Sequence, residues 1–153
     1  MMVPVELHLA INHLPVLGLP FAAGLLAAGL AFDNVEWLRA GLWTAALSGV
    51  SVWIVYYSGG LAADAAGGLA GISDHDISNH AAAAWRFAWM ASVVGSAAAA
   101  ALTLRPASGA RLSRRATSVV LALALGASVV GGWTAHLGGP IRHPELHDAE
   151  AWG

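Results

Sequence analysis

The stretch Leu14-Pro-Val-Leu-Gly-Leu-Pro-Phe-Ala-Ala-Gly-Leu-Leu-Ala-Ala-Gly-Leu-Ala-Phe32 contains no polar side chain. A helix on the surface of a soluble protein keeps a polar face for water, and this one has none. Its length is close to the roughly 20 apolar residues that carry a helix across a ~30 Å hydrocarbon core. Working outward, the first apolar segment extends back to Leu7, and three more follow. The four predicted helices cover residues 7–32, 40–57, 81–104 and 116–135. Residues 1–153 therefore read as a single transmembrane domain, all-α, an integral membrane four-helix bundle.

Composition points the same way. Apolar residues make up 58% of the chain and charged residues only 10%, where a soluble domain carries about a quarter. All seven cations are arginine and the formal net charge is -2. With no basic run interleaved with aromatics, nucleic acid is excluded as a partner. The absence of cysteine excludes disulfides, thiolate-held clusters and covalent c-type haem attachment. The N-terminus lacks a positive n-region and a cleavage site, so the first segment is expected to stay in the mature chain.

The loops set an orientation. Arg105, Arg111, Arg114 and Arg115 lie between the third and fourth segments, whereas Asp64, Asp74 and Asp76 lie between the second and third. The positive-inside rule puts the arginine loop in the cytoplasm and both termini outside. In a bacterial inner membrane, the expected location, outside is the periplasm. All seven histidines then gather at the outer face: His8 and His13 open the first helix, His75 and His80 open the third, His136 closes the fourth, and His143 and His147 follow. Pro15 and Pro20 are expected to bend the first helix near His13, because each removes a backbone donor.

The histidines fall in a repeated pattern. His8-Leu-Ala-Ile-Asn-His13 returns as His75-Asp-Ile-Ser-Asn-His80. Gly59-Gly60-Leu-Ala-Ala-Asp64 at the end of the second segment is echoed by Gly131-Gly132-Trp-Thr-Ala-His136 at the end of the fourth. Two tandem helix-hairpin repeats in the same orientation imply a pseudo-two-fold axis along the membrane normal. That axis predicts that His13 and His80 face each other across the bundle.

Residues five apart on a helix differ by about 140° and about 7.5 Å of rise. His8 and His13 therefore cannot meet one small ion from a regular helix, and neither can His75 and His80. Ligands drawn from different helices suit haem held between them. The candidate metal ligands are His13, His80, His136, His8, His75 and His143, and the cofactor they suit is haem b, one or two per chain. Small residues leave room beside a porphyrin. Trp85 and Trp133 can pack it or form an interfacial belt. Arg86 and Arg142 are the candidate partners of its propionates. Gly138, Gly139 and Pro140 are expected to end the fourth helix, letting His143 fold back over the site.

With these motifs in view, the chain resembles a family of small four-helix bacterial membrane proteins. Their first helix opens H-P-x-x-V-H-F-P and their last ends near H-L-G-G. Here the motifs stand as His8-Leu-Ala-Ile-Asn-His13-Leu-Pro15 and His136-Leu-Gly138-Gly139. Leu9, Asn12 and Leu14 replace the family's first proline, its valine and its phenylalanine. The resemblance implies a haem-binding or redox-associated membrane protein.

The expected function is that of a b-type membrane cytochrome with its haem near the outer face. It would transfer electrons alone or within a larger respiratory complex, rather than act as a stand-alone enzyme. Its expected partners are the lipid bilayer, a quinol or a periplasmic redox protein, and further copies of itself. Two alternatives stay open: a non-haem copper or iron protein using Asp64, Asp74 or Asp76 beside imidazoles, and a cofactor-free scaffold or transport subunit.

Overall fold

Three helix starts among the described residues are set by capping side chains rather than by hydropathy. The computed structural model describes residues 3–66, 72–103 and 113–142. Its elements are α1 (Val3–Ile11), α2 (His13–Ala31), α3 (Val35–Ala66), α4 (Asp74–Thr103) and α5 (Arg114–Arg142). Ahead of α3, Asn34 Oδ1 accepts hydrogen bonds from the Glu36 and Trp37 N–H groups at 3.0 and 3.1 Å. Ser73 Oγ accepts from the Asp76 N–H at the start of α4, and Ser113 Oγ from the Ala116 N–H at the start of α5. A capped end lets a helix begin in polar sequence, so three of the helices start ahead of the apolar runs. Asp74 and Asp76 in the first turn of α4 also favour the positive end of the helix dipole.

The first apolar segment forms one helical stretch, Pro4–Ala31, divided at Asn12 into α1 and α2. Pro15 has no N–H for the Ile11 carbonyl, and its ring crowds that carbonyl. The ladder lapses at Asn12, between α1 and α2, one residue before His13. Pro20 lies within α2, which continues through it.

The long helices α2, α3, α4 and α5 pack as a ring in that order. α2 and α4 occupy one diagonal, α3 and α5 the other. Contacts such as Gly18–Ser48, Gly49–Gly95 and Phe87–Gly131 run in opposite chain directions, so ring neighbours are antiparallel. α1 lies against α3 and barely touches α2. Short antiparallel connections are what a sequence of four consecutive long helices favours. Where α3 and α4 cross, a Cβ on Gly49 would stand 2.8 Å from the Gly95 Cα. Backbone meets backbone there, and no side chain fits at either position.

The packing inverts the usual distribution of side-chain size. Ala22, Ala45, Ala88, Ala91, Ala98, Ala124 and Ala127 fill much of the core, with Leu19, Leu26, Leu42, Val94 and Val120 among them. Leu17, Phe21, Leu47, Val50, Ile54 and Val129 point outward and are more than half exposed. Among the described residues, three helical stretches are long and apolar enough to cross a membrane: Pro4–Ala31, Val35–Ala65 and Arg114–Ile141. α4 is as long as these, but it opens on Asp74, His75, Asp76, Asn79 and His80 and carries Arg86. Four such spans are expected from the sequence; the polar opening of α4 sets it apart.

The predicted stop at Gly138-Gly139-Pro140 is not where α5 ends. The helix runs through all three residues to Arg142. A residue before proline is normally driven from the helical region by a clash involving its Cβ. Gly139 has no Cβ, so the turn continues.

Candidate functional site

The topology puts His8, His13, His75, His80 and His136 at one end of the bundle, where α1 and α4 begin and α3 and α5 finish. Two of them are drawn inward. His8 of α1 and His80 of α4 are half-buried.

Each ring is fixed by the neighbouring helix in the same chemical way. His8 Nδ1 lies 3.0 Å from Ser58 Oγ on α3. The Ser58 hydroxyl donates its own hydrogen to the Val55 carbonyl at 2.8 Å. Its oxygen is left to accept, so His8 Nδ1 carries the proton and donates it. His80 Nδ1 donates to the Thr134 carbonyl of α5 at 2.9 Å. A ring that donates through Nδ1 presents Nε2 as a lone pair, the form in which imidazole binds a metal.

Glycines seat both rings. A Cβ on Gly59 would come within 3.1 Å of His8 Cε1, and one on Gly138 within 3.1 Å of His80 Cε1. The glycine pairs that read in sequence as repeat markers therefore include the surfaces on which the imidazoles rest. Ser58, Gly59, Thr134 and Gly138 complete the site beyond the histidines. Their signal in the sequence was the small residues in Ser58-Gly59-Gly60 and the glycine pair of His136-Leu-Gly138-Gly139. Nearby, Asn12 Oδ1 is buried without a hydrogen-bond partner among the described residues.

The other candidates lie elsewhere. His13 opens α2 and is exposed, so of the first motif it is His8 that is drawn inward at the end where His80 lies. The break at Asn12 separates the two histidines of the first motif, and only the one on α1 turns inward. His75 is exposed, and its Nε2 accepts a hydrogen bond from Asn79 Nδ2 at 2.9 Å. His136 is exposed with its ring against Trp133, centroids 5.5 Å apart. His143 lies outside the described residues, as does the side chain of Arg142, the last residue of α5.

Trp85 belongs to an aromatic cluster between α3 and α4. Its ring centroid lies 5.8 Å from that of Trp53, 5.5 Å from Tyr56 and 5.7 Å from Trp89. Trp53 anchors this cluster by donating its indole N–H to Ser92 Oγ at 2.8 Å. Arg86 and Trp133 share a groove on the α4–α5 side with Ala83, Val129 and Val130. Asp64 and Asp74 are exposed. Among the described residues, no three His, Asp or Glu side chains converge on a point where they could hold one ion.

Comparison with known proteins finds no matching family model, no matching curated protein and no matching solved structure. The site is therefore argued from its own chemistry.

Proposed function

We propose that this chain is a b-type membrane haem protein, in which His8 and His80 would hold one haem near the outer face. One observation carries the reading. Two half-buried imidazoles from different helices stand at the same end of the bundle, each donating through Nδ1 to the helix beside it, and Nε2 of neither has a hydrogen-bond partner among the described residues. Axial ligation needs two such rings and no third ligand from the protein. Gly59 and Gly138 let each ring lie directly against the neighbouring helix. Only one inward pair exists among the described histidines, which favours one haem over two.

The apolar exterior and the three long apolar helices support insertion into a bilayer, with α4 as a fourth span whose polar opening faces the site. The arginines at the opposite end favour that end as cytoplasmic. Both termini are then periplasmic if the membrane is a bacterial inner membrane. The repeated H-x-x-x-N-H pattern and the diagonal placement of α2 and α4 are consistent with two related helix hairpins.

Haem would supply reversible one-electron chemistry at the iron. The protein's part is to hold the two rings. Ser58 and the Thr134 carbonyl fix the tautomer and the plane of each imidazole, and such second partners raise ligand basicity. With haem bound, a site near one face would suit electron transfer along that face, with a quinol, a periplasmic redox protein or a further subunit as the partner. It does not by itself connect the two sides of the membrane.

The test is the visible spectrum of the protein purified in mild detergent from haem-replete cells. The expected result is a Soret band that shifts and sharpens on reduction, with one haem per chain. A colourless, iron-free preparation would sink the proposal.

A further inference from the structure

Arg86 stands about one and two-thirds turns beyond His80 along α4, about 9 Å toward the middle of the bundle. It is exposed on the outer wall rather than turned into the core. Its groove holds about 350 Å³, and the other lining residues are Ala83, Val129, Val130 and Trp133. Among the described residues no carboxylate pairs with Arg86, although the exposed Arg39 and Arg114 at the opposite end each have one. The indole N–H of Trp133 also has no acceptor among the described residues, and that ring is 58% exposed.

In water this would be an ordinary surface arginine. On the wall of a chain that spans a bilayer it would be a guanidinium at the edge of hydrocarbon, where an unpaired charge is costly. No described carboxylate supplies its counter-ion, and the surroundings specify the form of one that comes from the bilayer. A guanidinium binds phosphate through paired N–H donors. Val129, Val130 and Ala83 offer an apolar track below it. The complementary occupant has an anionic phosphate head and a hydrocarbon tail.

We infer that the Arg86–Trp133 groove is a binding site for an anionic phospholipid of the outer leaflet. The guanidinium and the indole N–H hold the phosphate, and an acyl chain lies along Val129 and Val130. This rests on the membrane reading above but not on the haem. It also separates Arg86 from the propionate role, which places the same guanidinium on the cofactor.

The experiment uses the intact protein with its haem, reconstituted in vesicles of equal parts phosphatidylglycerol and phosphatidylcholine. Flotation with the vesicles comes first; a chain that fails to float overturns both the membrane reading and this site. The reconstituted protein is then extracted in mild detergent and its retained lipids are weighed by mass spectrometry. The retained ratio of phosphatidylglycerol to phosphatidylcholine is expected to be on the order of ten to one, against one to one in the vesicles, the worth of charged hydrogen bonds. Arg86→Gln should return the ratio to that of the vesicles, and Arg86→Lys should keep part of the enrichment. The Soret band should be the same in all three proteins. Equal retention of both lipids by the unaltered protein overturns the inference. So does an Arg86→Gln protein that keeps its preference, or one whose only change is in the haem spectrum.

Discussion

The two ends of the bundle treat their polar groups in opposite ways. At the arginine end, polar side chains are consumed by local structure. Asn34 spends its carbonyl oxygen on two N–H groups of α3. Arg114 Nη1 donates to Asp33 at 3.0 Å and Nη2 to the Leu30 carbonyl at 3.0 Å, tying the start of α5 to the turn after α2. Asp33 itself sits at φ 49 in the tight turn. At the histidine end, His8 and His80 use only one nitrogen each for structure, and Asn12 Oδ1 is buried without a partner among the described residues. Groups that are fully used hold a fold together. Groups left half-used near the core are the ones available to a ligand.

This contrast makes substitutions separable by their readout. The largest effect is expected from His80→Ala or His8→Ala, each of which should abolish the Soret band, while His13→Ala should leave it intact. Loss of absorbance in His13→Ala alone would reverse the pairing argued from the geometry. Next comes Ser58→Ala, which removes the acceptor of His8 Nδ1 and should weaken haem retention roughly 10- to 100-fold. Haem transfer to apomyoglobin would measure it. A Ser58→Ala protein that retains haem normally would show that Gly59 and the helix alone seat the ring.

At the other end the spectrum should not move. Asn34→Ala removes the cap of α3 and should lower stability by about 1 kcal/mol, read as a lower melting temperature in detergent. Arg114→Ala should cost less, under about 1 kcal/mol, because its ion pair with Asp33 is largely exposed and screened. If either change altered the haem spectrum while barely affecting melting, the division between the two ends would fail.

Much of this organisation was legible in the sequence, though unevenly. Four long apolar segments were enough to give four packed helices, since hydrocarbon-length runs without a polar face have few alternatives. The histidines' shared end followed from counting helices. Helix limits were harder. α3 runs on through Gly59, Gly60 and Asp64, and α5 runs on through Pro140, because hydropathy marks the greasy middle of a helix and caps mark its ends. Which histidine of the first motif is drawn inward was beyond reach. Matching the two H-x-x-x-N-H motifs relates His13 to His80, but Pro15 interrupts the first helix between His8 and His13. The motif therefore has different geometry in its two copies. It lies across a break at His8–His13 and within one continuous helix at His75–His80. The seats at Gly59 and Gly138 could not be assigned either, because small residues in such a chain usually serve close packing.

The lapse at Asn12 has a consequence for how the protein is assembled. α1 takes its position from α3 and not from α2, so the helix bearing His8 is an attachment to the bundle rather than part of its frame. The ring of α2 to α5 already holds the core and His80. Ser58 and Gly59 of α3 are then the points at which α1 is fastened to the frame, through the ring of His8.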